Sequence, residues 1–327
     1  MSYLEIKDLR VQYKKGKKDR VYAIQGVDLE LEKQETLGLV GETGAGKTTL
    51  ALTVMGLLPG NACVKSGFVR LEGLEILGLN DVTMQSVRGA KMAMIFQNPM
   101  SSLNPMLTIE KQIAEGIRLH NVDHKSKAEV AARVEELLTM VGIDPIMKDS
   151  YPHELSGGMR QRIGIAIALA NEPELLIADE PTSALDVTIQ AQVLALMNEL
   201  KNRLEMSMIL ITHDFGIVAR MCDKVAVMYA GSIVESGTWE DFFLTGKHHP
   251  YTDGLLNAIP NMESTERRLK PIPGQVADNT ILPEGCVFAD RCEHAKELCR
   301  CMIPHNVTEG THSVRCHLFE KEERTDV

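Results

Sequence analysis

The sequence predicts an α/β fold: a mostly parallel core sheet, an antiparallel β subdomain, a helical subdomain, and a small Cys-rich C-terminal domain. Three observations carry that expectation. Short apolar runs that stop at glycine or aspartate, ETLGLVG at 35–41 and LLIAD at 175–179, read as strands buried on both faces. Helical stretches alternate with them, which is the pattern of a parallel sheet covered by helices. Five of the seven cysteines, Cys286, Cys292, Cys299, Cys301 and Cys316, crowd into the last part of the chain.

The elements follow in order. LEIKDLRVQY and VYAIQGVDLELE alternate apolar and polar residues, as antiparallel strands with one solvated face do, and KKGKK at 14–18 reads as the loop between them. After ETLGLVG, KTTLALTVMGLL is helix-compatible and stops at Pro59-Gly60. From Thr108 to Ile143 the period is helical, with Ala128, Ala131, Val134, Leu137, Leu138 and Val141 at three- and four-residue steps. A helix opens at Ser156, and the buried strands LLIAD and SMILITHD flank a helix over Val187–Leu204. KVAVMYAGSIVESG reads as two strands joined by a tight Ala-Gly turn that finishes the sheet. Composition shifts to proline, cysteine and histidine near Pro260, which sets expected domains of 1–260, with a helical subdomain at about 98–160, and 261–327.

Size and charge narrow the function. The 327 residues make about two domains at roughly 150 each. With 35 basic and 45 acidic residues the net charge is −10, which argues against a chain whose main task is gripping nucleic acid. Apolar residues at 44% and charged residues at 24% exclude a disordered or collagenous chain. No apolar run approaches the ~18 residues of a membrane span. The charged start MSYLEIKDLRVQY carries no export signal, so the cysteines are read as metal ligands before disulfides.

Gly41, Glu42, Thr43, Gly44, Ala45, Gly46, Lys47 and Thr48 fit G-x-x-x-x-G-K-[ST] between a strand and a helix, with Thr49 next in line. Backbone N–H groups in such a loop cradle phosphates, Lys47 reaches the β- and γ-phosphates, and Thr48 ligates Mg²⁺. LLIADEP then delivers Asp179, a Mg²⁺ partner through water, and Glu180, a base for the attacking water. Ser156, Gly157 and Gly158 open a helix 23 residues before Asp179 and make a second anion site.

These motifs, with Gln97 in MIFQNP, the Ser183-Ala184-Leu185-Asp186 turn and His213 in LITHD, resemble the ABC-transporter ATPase subunits over about residues 1–245. The resemblance implies a P-loop NTPase in which two subunits close on ATP, the phosphate loop of one facing the Ser156–Gly158 segment of the other. It implies Gln97 as a Mg²⁺ sensor, His213 as a γ-phosphate contact, Asp186 in the D-loop as a nucleotide-binding residue, and an aromatic stacked on adenine. Tyr13 is the choice for that aromatic and Tyr22 the runner-up. One departure is Met159, where many members carry glutamine.

QNPMSSLNP at 97–105, EPTSALDVTIQAQV at 180–193, HPYTDGLLNAIP at 249–260 and GCVFADRC at 285–292 resemble the D-type ATPase of the dipeptide/oligopeptide (or nickel) importer branch. That likeness implies a [4Fe–4S] cluster on Cys286, Cys292, Cys299 and Cys316. Spacing alone leaves zinc open, with His294, His305, His312 or His317 completing a Cys₃His set, and leaves Cys301 as a substitute for Cys299. It further implies a second, non-identical ATPase subunit (or a homodimer), two membrane permease subunits, an external solute-binding protein, and a peripheral place on the cytoplasmic face of the cell membrane. Nickel chelates or another small solute stand beside peptides as cargo. A nontransport ABC ATPase or a redox-sensing regulatory module is the reading from a different class. The 58 residues between Gln97 and Ser156 leave no room for the insertions that nontransport members carry.

Overall fold

The computed structural model describes residues 2–16, 19–97, 102–120, 125–183, 185–244, 246–258 and 272–320. The expected domain boundary at 260/261, the first residues of the helical subdomain and Ala184 lie outside them. The chain forms two compact units, one of Met1–Leu31, Thr36–Leu77 and Thr212–Val327, the other of Glu32–Glu35 and Gly78–Ile211.

The first unit begins with β1 (Leu4–Lys15), β2 (Asp19–Leu31), β3 (Thr36–Val40), α1 (Lys47–Val54), β4 (Ala62–Leu71) and β5 (Leu74–Glu75). The second unit holds α2 (Asp81–Val87), β6 (Met92–Ile95), α3 (Ile109–Leu119), α4 (Lys127–Met140), α5 (Gly157–Ala168), β7 (Leu175–Asp179), α6 (Val187–Arg203) and nearly all of β8 (Ser207–Thr212). The chain then returns to the first unit for α7 (Phe215–Met221), β9 (Lys224–Tyr229), β10 (Ser232–Thr238), α8 (Trp239–Phe243), α9 (Pro250–Leu256), α10 (Glu297–Cys301), β11 (Asn306–Glu309) and β12 (His312–Arg315).

In the first unit β2-β1-β4-β5 form an antiparallel sheet. Its buried residues step Leu4, Ile6, Leu9, Val11, and the three-residue step coincides with a register shift between Ile6 and Leu9 and with Asp8 at φ 39°. The bulge keeps one apolar face on the core across the irregularity. A second set of strands runs β11-β12-β10-β9-β3, with β3 and β9 parallel and the rest antiparallel. Ala230 and Gly231 make the predicted tight turn between β9 and β10, at φ 44° and 82°. The sheet does not finish there, as the sequence reading expects. The tail hairpin adds to the edge of β10 through Glu235↔Val314 and Ser236↔Ser313, occupying backbone groups that β10 otherwise leaves open.

The second unit is a parallel β8-β7-β6 set with helices. Every residue of Leu175–Asp179 is buried, which is why the strand reads as unbroken apolar sequence. The helical stretch expected over 108–143 is two helices. α4 starts at a capping box in which Ser126 and Glu129 exchange side-chain and backbone hydrogen bonds, and it buries Val130, Val134, Leu137 and Leu138. Among the described residues no helix is long and apolar enough to cross a membrane.

Candidate functional site

The phosphate loop lies in the first unit, between β3 and α1. Gly46 caps α1 at φ 108° and, having no side chain, makes no side-chain cap. A Cβ at Gly46 would stand 2.5 Å from the Ala23 carbonyl oxygen, and one at Gly41 would collide with that of Met228, so both glycines are demanded by close backbone approach. Ala45 is buried, and its carbonyl accepts from the Gly231 N–H at 2.8 Å. Lys47 is 5% exposed, and its Nζ donates to the carbonyls of Gly41 at 2.6 Å and Glu42 at 3.0 Å. Its ammonium is thereby held inside the loop. Thr48 is exposed at the start of α1, where its hydroxyl is open to a cation, and Thr43 and Gly44 are exposed at the crest. Tyr13 reaches this loop: its hydroxyl stands 3.2 Å from that of Thr49. Tyr22 instead spends its backbone N–H on the Asn279 carbonyl at 2.7 Å.

Three residues that sequence reasoning missed support the same loop. Arg291 grips Glu42 with both guanidinium nitrogens, at 2.6 and 3.1 Å. The bond to Glu42 holds its pKa above the ordinary arginine value against the cost of its burial. The Glu42 N–H donates to the Tyr251 hydroxyl at 2.8 Å, and the Asn279 amide donates to the Gly44 carbonyl at 3.1 Å. Burial raises the Tyr251 hydroxyl's pKa, so it stays a neutral acceptor. Tyr251 and Arg291 stand in the tail motifs quoted above, but nothing in those motifs points to the phosphate loop, more than 200 positions away. His213, exposed just past β8, also belongs to this unit.

The second unit holds the carboxylates. Asp179 is 2% exposed at the end of β7. Glu180 follows at φ 45°, its N–H donating to the Ile211 carbonyl at 2.9 Å. Its carboxylate accepts from the Gln97 amide at 2.9 Å, so the structure brings these two predicted residues together. Ser156 caps α5 by accepting from the Met159 N–H at 3.3 Å, and Asp186 caps α6 by accepting from Ile189 N–H at 3.0 Å. A Cβ on Gly158 would meet Ile189 Cγ2 at 2.6 Å, while one on Gly157 would come no closer than 3.7 Å, to Leu185.

The C-terminal cysteines are free thiols in the first unit. Burial raises Cys286 and Cys292 and pushes Cys316 up to about 11, and Cys286, Cys292 and Cys299 all add to the shift at Cys316. The Cys286 N–H donates to the Cys299 carbonyl at 2.8 Å. Cys301 is exposed and faces the carbonyls of Glu297 and Leu298 on its own helix. Of the histidines offered for a Cys₃His set, His312 bonds Glu235 and His317 bonds Glu320.

Comparison with known proteins fits this geometry. Residues 24–183 match the family model for ABC transporters. The chain is similar to the oligopeptide transport ATP-binding protein AppD of Bacillus subtilis, with 45% identity over 98% of this chain and 97% of that one. It is similar also to the OppD protein of Salmonella typhimurium, with 46% identity over 90% and 88% of the two chains. The solved ATP-binding cassette MJ0796, bound to ADP and Pi in a dimeric post-hydrolysis state, covers 72% of this chain and 98% of its own at TM-score 0.65 and 25% identity. The chain belongs to the ABC transporter ATPases, which bind ATP and couple its hydrolysis to transport. More narrowly, residues 234–299 match the C-terminal region of oligopeptide/dipeptide transporters, the segment that carries Tyr251 and Arg291.

Proposed function

We propose that the chain is the ATP-hydrolysing subunit of an importer of di- and oligopeptides. The domain division proposed with it is 1–260 for the ATPase and 261–327 for the tail. It would pair with a second, related ATPase subunit and dock on two membrane permeases at the cytoplasmic face, the permeases receiving cargo from an external binding protein. The likeness to oligopeptide transport ATP-binding proteins and the match over 234–299 support the cargo class.

In this scheme the loop from Gly41 to Thr49 wraps the triphosphate, and Lys47 exchanges the carbonyls of Gly41 and Glu42 for phosphate oxygens. Tyr13 stacks on adenine. Thr48, Gln97 and Asp179 are the oxygen donors for Mg²⁺, whose charge would offset that of the phosphates. Glu180 takes the proton of the attacking water, and Gln97, bonded to it, couples the γ-phosphate position to the helical segment that follows. His213 contacts the γ-phosphate. Ser156, Gly157, Gly158 and Asp186 face the partner's nucleotide, so that ATP favours the closed pair and its hydrolysis releases it.

Cys286, Cys292, Cys299 and Cys316 fit a [4Fe–4S] cluster as a four-thiolate set whose members sense one another's charge. The cluster would act as a staple for a tail with few large apolar residues. The electrostatic influence of Cys299 on Cys316, and the turning of Cys301 toward carbonyls of its own helix, support that ligand set.

The observation that carries the catalytic reading is the Gln97–Glu180 hydrogen bond beside buried Asp179. Glu180→Gln keeps the shape and removes the base. In the assembled transporter it should leave ATP binding nearly intact and lower both turnover and peptide uptake about 10²–10⁴-fold. Unchanged turnover would remove Glu180 from the mechanism, and full ATPase activity without peptide-stimulated uptake would remove the cargo assignment.

A further inference from the structure

A second cluster of metal-ligating side chains lies in the first unit, away from the cysteines. Glu235, on β10, has a fully buried side chain. His248, just ahead of α9, and His312, the first residue of β12, both turn toward it. His248 Nδ1 and His312 Nε2 each stand 2.8 Å from the same Glu235 Oε1. The ligand atoms of the three residues lie within 4.8 Å of one another. Glu235 Oε2 is already engaged by the His249 backbone N–H at 2.8 Å, which fixes the carboxylate's orientation.

We propose that Glu235, His248 and His312 form a binding site for a divalent transition-metal cation of the zinc class. His248 also hydrogen-bonds the Phe242 backbone. With Nδ1 turned to Glu235, that bond belongs to the other ring nitrogen, which spends its N–H on the carbonyl. That leaves Nδ1 aimed at the Glu235 carboxylate, where a divalent cation would take the place of the proton that the two share. A backbone carbonyl on the far nitrogen is the partner that orients a ligating imidazole. Two nitrogens and one carboxylate oxygen select a borderline cation over calcium or magnesium, which take oxygen ligands.

The surroundings favour a dication. The Phe242 ring packs on both imidazoles, with centroids 5.8 Å from His248 and 6.1 Å from His312, and shields them from water. The carboxyl groups of Asp241 and Asp253 interact electrostatically with His312 and His248 respectively. Two imidazoles thus face three carboxyl groups. A metal here would clamp three segments distant in sequence: β10, the turn before α9 and the tail hairpin.

Cobalt(II) tests the site in the full-length protein, because a nitrogen/oxygen site and a thiolate site give different spectra. Thiolate-bound cobalt shows intense near-ultraviolet charge transfer, whereas an N₂O site shows only weak visible d–d bands. We expect wild-type protein, its cysteine site filled as purified, to take up one equivalent of Co²⁺ with d–d bands alone. Zn²⁺ should displace it, and Zn²⁺ should raise the thermal midpoint. His312→Gln and Glu235→Gln should each lose at least 10-fold in Co²⁺ affinity. Wild-type protein that binds Co²⁺ only with charge-transfer bands, or not at all, would overturn the proposal whether or not the variants fold. Folded variants that bind Co²⁺ as tightly as wild type would overturn it too.

Discussion

Two helices of this protein start on glycines, α1 at Gly46 and α5 at Gly157-Gly158, and sequence reasoning gives both the same role as anion sites. Their local physics differs. At α1 no side chain caps the helix, and Gly46 is required because the Ala23 carbonyl leaves no room for a Cβ. The start of that helix turns the positive end of its dipole to the loop, and the buried Lys47 adds a full charge beside it. At α5 the Ser156 side chain already accepts the Met159 N–H, and Gly158 is required by Ile189 of α6. Glycine before a helix therefore reports close approach in both places, and only the missing side-chain cap marks the phosphate cradle.

The comparison can be broken by experiment. The largest effect is expected at the uncapped helix: Lys47→Ala removes the positive charge of the loop and should lower ATP turnover at least about 10²–10³-fold, the worth of one preorganised donor to developing charge. Steady-state ATPase of the assembled complex checks it. Next, Arg291→Met should cost about 1.5–3 kcal/mol, because it breaks charge-assisted hydrogen bonds from a buried guanidinium. Denaturant unfolding measures that loss, and a weaker nucleotide Kd should accompany it because Glu42 loses its anchor.

At the capped helix the expected effects are structural and smaller. Gly158→Ala should be less stable than Gly157→Ala by about 1–3 kcal/mol, since only the former drives a Cβ into Ile189. Comparing the two alanines cancels most of the shared gain in helix propensity, and equal melting midpoints would deny the packing role. Ser156→Ala should cost about 0.5–2 kcal/mol through loss of the cap. No change in unfolding midpoint would leave the serine hydroxyl free for another task.

Much of this was legible because it is local. TLGLV and LLIAD read as buried strands, and Ser156 caps the helix that follows it. The tail hairpin was missed because Asn306–Glu309 and His312–Arg315 are only four residues each and are held by the edge of β10 rather than by their own propensity. The partners of the phosphate loop were illegible for the same kind of reason. Arg291, Tyr251 and Asn279 meet Glu42 and Gly44 only once the chain has folded back over 209 to 249 positions. Glu235, His248 and His312 likewise carry no spacing signature, since 78 residues span them.

The Arg291–Glu42 fork has one more consequence. Arg291 immediately precedes Cys292, so whatever sets the conformation of that thiol also sets the posture of a residue bracing the nucleotide cradle. Damage to the tail's sulfur chemistry should therefore register as slackened grip on ATP, making a peripheral appendage a governor of the motor's fuel intake.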